Sequence, residues 1–222
     1  AAAAKEPAKT SVSVLRRRAM ETLEQEETVE RFRPRTPTPS AGKSSAEVGT
    51  AYHRFLERVS FEQLGGVETL RAEAERMVNE GVLAREEVAW LNFNSLLDFW
   101  RSALGKRILA NKQNVRRELA FTARFSPAEL SAESNAPFAK EMESEFVIVQ
   151  GVADVAVMLP KEIWLLDFKT DRVTAKDIAA KKAMYQPQLN LYARALERIY
   201  GKPVTERWLH FLACGATVPL PR

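Results

Sequence analysis

Cysteine is nearly absent: Cys214 stands alone among 222 residues. One thiol cannot build an internal disulfide, a Cys-rich zinc site or a four-cysteine iron–sulfur cluster. That scarcity predicts a reducing, intracellular, cytoplasmic setting. Long apolar runs are missing too, and none approaches the roughly 20 residues of a membrane span. The opening Ala1–Ala4, followed by Lys5 and Glu6, lacks the apolar core of a secretory signal. Charge of one sign is barely in excess, with 33 Lys+Arg against 29 Asp+Glu and a net charge of +4. Such a balance permits a nucleic-acid partner without requiring one. Histidine is limited to two residues, so any role given to one of them narrows the search.

What is present reads as a globular chain. A hydrophobic content of 45% is ordinary, and the length allows one large domain with a real core. Residues 1–45 read as a lead-in or linker segment, partly extended. They hold Ser11–Leu15, a strand or a helix start, then Arg16-Arg17-Arg18, an acidic run from Glu21 to Glu30, and the Pro/Thr stretch Arg33–Ser40. The domain proper is expected over 46–222. Ser45 is placed to cap a helix carrying Val48, Tyr52, Phe55, Leu56 and Val59, which Gly65-Gly66 would stop. Helices are expected over Val67–Asn79 and Arg85–Ala110, with Trp90, Phe93, Leu97 and Trp100 as a core stripe.

A strand is expected over Val115–Phe125, a polar variable loop over Ser126–Ser144, and a hairpin joining Phe146–Leu159 to Ile163–Thr170 around Pro160-Lys161-Glu162. A helical region, Thr174–Tyr200, would break near Pro187, with Gly201 just past its end, and Arg207–Ala213 would be a last strand. Helices alternating with strands predict an α/β fold.

The chemistry concentrates on the hairpin. Side chains alternate along a strand, so Asp167 and Lys169 share one face at the end of the apolar run Ile163–Leu166. Asp154 is the lone acid of the preceding run. Two carboxylates and a lysine on adjacent strands suit metal-assisted phosphodiester hydrolysis, the carboxylates holding a hard divalent cation. His53 lies inside an amphipathic helix, where a lone histidine is usually structural; beside two carboxylates a neutral imidazole is a good ligand. Gln188 and Tyr192, four apart, share a helix face.

The ordered set Gly49-Thr50-Ala51-Tyr52-His53, Arg117-Glu118-Leu119-Ala120-Phe121, Gly151-Val152-Ala153-Asp154, Asp167-Phe168-Lys169-Thr170-Asp171 and Gln188-Leu189-Asn190-Leu191-Tyr192-Ala193 resembles the RecB-family nuclease domain of the PD-(D/E)xK superfamily. It is most similar to the C-terminal nuclease domain of AddA-type helicase–nucleases. The segment Ala8–Leu15 also resembles the lead-in to that domain, and the resemblance spans essentially the whole chain; each motif is weak alone, and the ordered five are specific.

The resemblance implies a restriction-endonuclease-like α/β core, with a central mixed sheet flanked by helices and an added N-terminal helical region. It implies a Mg²⁺- or Mn²⁺-dependent deoxyribonuclease, an exonuclease rather than an endonuclease, in DNA end processing, recombination and double-strand break repair. His53, Asp154, Asp167 and the Phe168 backbone carbonyl would hold the metal. Lys169 would orient or activate water and offset charge on the phosphate. Gln188 and Tyr192 would support the site or the DNA strand, and Glu118 would face the site or hold neighbouring groups.

The implied partners are DNA, a helicase domain in the same parent chain and a second helicase–nuclease subunit; no membrane is implied. No Gly-x-x-x-x-Gly-Lys-Ser/Thr phosphate loop occurs, so this is an excised domain or a stand-alone relative. The cysteine count disfavours the iron–sulfur branches. Candidate phosphate contacts are Arg116, Arg117, Arg172, Lys176, Lys181 and Lys182. The competing reading is a catalytically silent DNA-binding or subunit-docking domain of nuclease fold.

Overall fold

The computed structural model describes residues 9–11, 44–126, 128–130, 146–171, 173, 174 and 176–221. Most of the lead-in segment, most of the Ser126–Ser144 loop, and Arg172 lie outside them. The elements are β1 (Lys9–Ser11), α1 (Ser45–Arg58), α2 (Val67–Asn79), α3 (Arg85–Val88), α4 (Phe93–Arg101), α5 (Ala103–Ala110), β2 (Val115–Phe125), β3 (Val147–Met158), β4 (Ile163–Lys169), α6 (Ile178–Tyr200), β5 (Val204–Phe211) and β6 (Ala216–Pro219). This is an α/β fold with a mixed sheet and flanking helices. No helix among the described residues is long and apolar enough to cross a membrane.

The chain forms two compact units. The larger holds Lys43–Leu119, Ala153–Lys182 and Pro203–Arg222. Within it β3 pairs antiparallel with β4, β4 parallel with β5, and β5 antiparallel with β6. Tyr52, Phe55, Phe93 and Phe99 from the helices pack with Val155, Val157, Trp164, Leu166, Phe168 and Trp208 from the strands in one buried cluster. Alternation therefore commits the even-numbered residues of β4 to this core. Burying each large side chain contributes about 1.5–3 kcal/mol. Asp167 and Lys169 are left on the opposite face of the strand.

Local chemistry shifts several expected boundaries. Ser44, not Ser45, caps α1: its hydroxyl accepts from the Glu47 N–H at 3.2 Å, and its own N–H donates to the Glu47 carboxylate at 2.7 Å. At the far end Arg117 donates to the carbonyls of Leu56 and Val59, at 3.1 and 2.5 Å, and lies 4.5 Å over the Phe61 ring. The first Gly of Gly65-Gly66 ends nothing, since α1 stops at Arg58, and Gly66 begins α2.

The single helix expected over Arg85–Ala110 is three. Asn92 and Ser102 each turn a side-chain oxygen to the backbone N–H of the third residue on, starting α4 and α5. Pro187 does the reverse and interrupts nothing: α6 is continuous through it. The lost hydrogen bond is outweighed by buried Tyr185 before it and Leu189, Leu191, Tyr192, Ala195 and Leu196 after it. Gly201 closes α6 at φ +64°. β6 was not foreseen.

The smaller unit comprises Ala120–Val152 and Ala183–Lys202 with β1. There β1 runs parallel to β3, Lys9 opposite Ile148. Gly151 is required by crowding: a Cβ would meet the Phe121 ring at 2.5 Å and the Tyr192 ring at 3.0 Å. Those rings meet edge to face at 5.0 Å.

Gly105 is the tightest point in the larger unit, where a Cβ would lie 2.3 Å from the Phe99 carbonyl oxygen. Because backbone rather than a flexible side chain blocks it, Gly105→Ala is expected to cost about 1–3 kcal/mol. Urea unfolding followed by circular dichroism checks this; an unchanged midpoint would refute the packing described.

Candidate metal centre

Four elements of the larger unit converge on one cluster. α1 supplies His53, β2 supplies Glu118, β3 supplies Asp154, and β4 supplies Asp167, Phe168 and Lys169. α1 buries Ala51, Tyr52, Phe55 and Leu56, which leaves His53 at the border of the buried face. α1 packs near the end of β4 at Gly49, where a Cβ would make an ordinary van der Waals contact with Thr170 Oγ1 at 3.4 Å. Glu118 is the described non-glycine residue with positive φ, 47°. A left-handed residue within a strand costs about 1–3 kcal/mol, and such strain collects at functional sites.

The β3–β4 register pairs Val155 with Leu166. Continued by one residue, it sets Asp154 opposite Asp167. Both are buried, at 8% and 3% exposure. Asp154 Oδ2 accepts the Phe168 N–H at 2.6 Å, and its Oδ1 lies 3.4 Å from His53 Nδ1. That same nitrogen is 3.1 Å from Glu118 Oε1. Lys169 Nζ is 2.6 Å from Asp167 Oδ2. The shared strand face expected from alternation is thus what brings the ammonium to the carboxylate.

The ionisation of the cluster reports its crowding. Burial pushes the Asp154 carboxyl well above the usual range, and the charge of Asp167 adds to it; His53, Lys169 and the Phe168 N–H oppose the shift. For His53, burial works against protonation but is overcome by the Glu118 hydrogen bond and by the charges of Asp154, Glu118 and Asp167, raising it to about 9. Nδ1 faces the acidic side chains of both Glu118 and Asp154, and they favour the protonated imidazole.

His53, Glu118 and Asp154 each offer a ligand atom, all within 4.8 Å of one another. One imidazole and two carboxylates suit a divalent cation, and a cation would relieve the repulsion now met by protons. The sequence expectation had Asp167 and the Phe168 carbonyl in the ligand set. The structure places Asp167 against Lys169 and brings Glu118 into the closest group.

The second histidine is packed away from this chemistry. His210 is 1% exposed, lies 4.5 Å from the Phe99 ring centre, and contacts Thr217 Oγ1 through Nδ1 at 2.8 Å. Burial lowers it to about 4, so it is neutral. Gln188 and Tyr192 belong to the smaller unit, where Gln188 Nε2 donates to the Tyr192 hydroxyl at 3.1 Å. Sequence reasoning missed the helix-capping role of Arg117 and the kink at Glu118. Neither had a signal, since Arg117 lies about 60 positions along the chain from the helix end it caps and glutamate carries no mark of a positive φ.

Among the basic candidates, Arg117 is taken up by α1. Lys181 pairs with Asp171 at 2.6 Å, whereas Arg116 and Lys176 are exposed.

Residues 23–217 match the family model described as PD-(D/E)XK nuclease superfamily. The chain is 35% identical over 170 residues to an AddA-type ATP-dependent helicase/nuclease protein of Carboxydothermus hydrogenoformans, a match covering 77% of this chain and 14% of that protein. It is 36% identical over 177 residues to the protein of the same name from Bacillus mycoides, covering 77% and 14%. For the Thermoanaerobacter sp. protein of that name the identity is 30% over 215 residues, covering 94% and 17%. The chain thus spans only about a seventh to a sixth of the length of these relatives.

The raised groups make a pH prediction for metal-free protein. Stability from protonated His53 is fully present below pH 6.5 and is lost as pH rises through about 9. Asp154, also raised, acts in the same direction. Melting in EDTA should therefore fall from about pH 6.5 to about 9.5, and His53→Gln should flatten part of that fall. A parent melting point that is flat or rising over this range would contradict the cluster.

Proposed function

The chain belongs to the PD-(D/E)XK nuclease superfamily, and from that premise we propose that it is the Mg²⁺- or Mn²⁺-dependent deoxyribonuclease domain of a longer cytoplasmic helicase–nuclease. The observation that carries the reading is the pair of buried carboxylates, Asp154 and Asp167, with Lys169 Nζ at 2.6 Å from one and His53 Nδ1 at 3.4 Å from the other. Buried charge of this kind is costly unless a function retains it.

His53, Asp154 and Glu118, with Asp167 and the Phe168 carbonyl, would hold the divalent cation. When bound, the cation supplies Lewis acidity toward a phosphate oxygen and a lowered pKa for water. The chain's own groups do the rest. Lys169, fixed against Asp167, directs an ammonium at charge developing on the phosphate and orients the attacking water. The Phe168 N–H fixes the Asp154 carboxylate. Gln188 and Tyr192, tied to each other in the smaller unit, are candidates to hold the DNA strand. Exposed Arg116 and Lys176 are candidates to neutralise phosphates.

We assign exonuclease rather than endonuclease action, in DNA end processing, recombination and double-strand break repair. The proposed partners are a helicase domain in the parent chain and a second helicase–nuclease subunit. The relatives' names and lengths support this.

The test is degradation of end-labelled linear single- and double-stranded DNA with Mg²⁺ or Mn²⁺. Asp167→Ala and Lys169→Ala should each lower the rate on the order of 10²-fold or more, with DNA binding retained. Cleavage at the parental rate by either variant would remove that residue from the chemistry.

A further inference from the structure

The smaller unit carries an arginine–aromatic cluster that the hydrolytic reading does not use. Arg194 and Arg198, one turn apart on α6, both face the Phe125 ring, at 5.6 and 4.6 Å. One carboxylate, Glu129, answers them: Arg198 donates to it, and Arg194 Nη2 lies 3.6 Å away. The Arg198 guanidinium also donates to the Arg124 carbonyl. These contacts are structural.

Two side chains beside them are not used in this way. The Arg124 guanidinium makes no ion pair or hydrogen bond among the described residues and lies 4.8 Å over the Phe146 ring. Phe146 itself is 50% exposed, a large apolar ring turned to water. Arg124, Phe125, Ser126, Glu129, Phe146 and Arg198 line a cavity of about 370 Å³. With Arg194 close by, three arginines face one carboxylate around it among the described residues.

We propose that this cavity is a holding subsite for single-stranded DNA, separate from the cleavage cluster, in which Phe146 stacks on an unpaired base and Arg124 contacts the adjoining phosphate. A half-exposed ring beside a guanidinium matches the aromatic-plus-cation arrangement that grips single strands without reading sequence. A duplex hides its base faces and cannot use the ring. Guanidinium fits phosphate through paired N–H groups, and the cavity is within the size range of small-ligand sites. The identity of the strand as DNA rests on the nuclease reading; the subsite does not depend on the cleavage chemistry.

The experiment is fluorescence anisotropy with a labelled oligo(dT) in EDTA, where cleavage plays no part. Phe146→Ala and Arg124→Ala should each weaken binding about five- to tenfold, with Phe146→Trp restoring it. Blunt duplex binding should move less than about twofold, because the ring reads only unpaired bases. Both side chains are exposed, so melting points should hold. Unchanged oligo(dT) affinity in both alanine variants overturns the subsite, as does equal weakening on duplex, which would mark a general phosphate contact. A parent that cleaves DNA while its variants bind normally refutes this subsite alone. A parent that fails to cleave yet binds through Phe146 refutes the nuclease reading alone.

Discussion

Asp154 and Asp167 lie on neighbouring strands, nearly shut off from water, and their burial, with the repulsion between them added to it, is the constraint to which the surrounding groups answer. Lys169 neutralises one; the Phe168 N–H and His53 steady the other. Glu118 then adds a third carboxylate, on a backbone bent into the left-handed region. A fold selected for stability alone would place apolar residues at such positions. The arrangement is understandable as a cluster of negative charge shaped to receive a cation.

The scaffold is built to hold that arrangement still. Phe168 sits between the two acidic functions: its ring is locked in the core against Phe99 and His210, while its N–H fixes Asp154. His210 can serve there because burial keeps it uncharged. The other end of the cluster depends on α1, which packs near Thr170 at Gly49. Its last turn is secured by Arg117. An arginine one residue before Glu118 therefore anchors the helix that carries His53, so β2 and α1 are tied on both sides of the site.

Much of this was legible in the sequence, for identifiable reasons. Period-two alternation placed Asp167 with Lys169 and left Phe168 to the core, because a buried strand with one polar face has one register that works. Val67–Asn79 and Val115–Phe125 were readable, since their apolar residues recur mostly at helical and strand spacing. The misreadings came from competition between local and tertiary terms. Pro187 signalled a helix break, and packing on both sides of it prevailed. Asn92 and Ser102 sit in a run with helical periodicity, and their capping oxygens divided it. The positive φ of Glu118 was invisible, since glutamate carries no mark for it. The proximity of Glu118 to His53 and Asp154 could not be read either, because it depends on how α1 crosses the strand ends.

The central claim is that this cluster is a divalent-cation site. A direct test is a Mn²⁺ titration followed by electron paramagnetic resonance, comparing the parent with Asp154→Ala and Lys169→Ala. Saturable Mn²⁺ binding in the parent, lost in Asp154→Ala and kept in Lys169→Ala, is the predicted result. Equal Mn²⁺ binding by the parent and Asp154→Ala would contradict it.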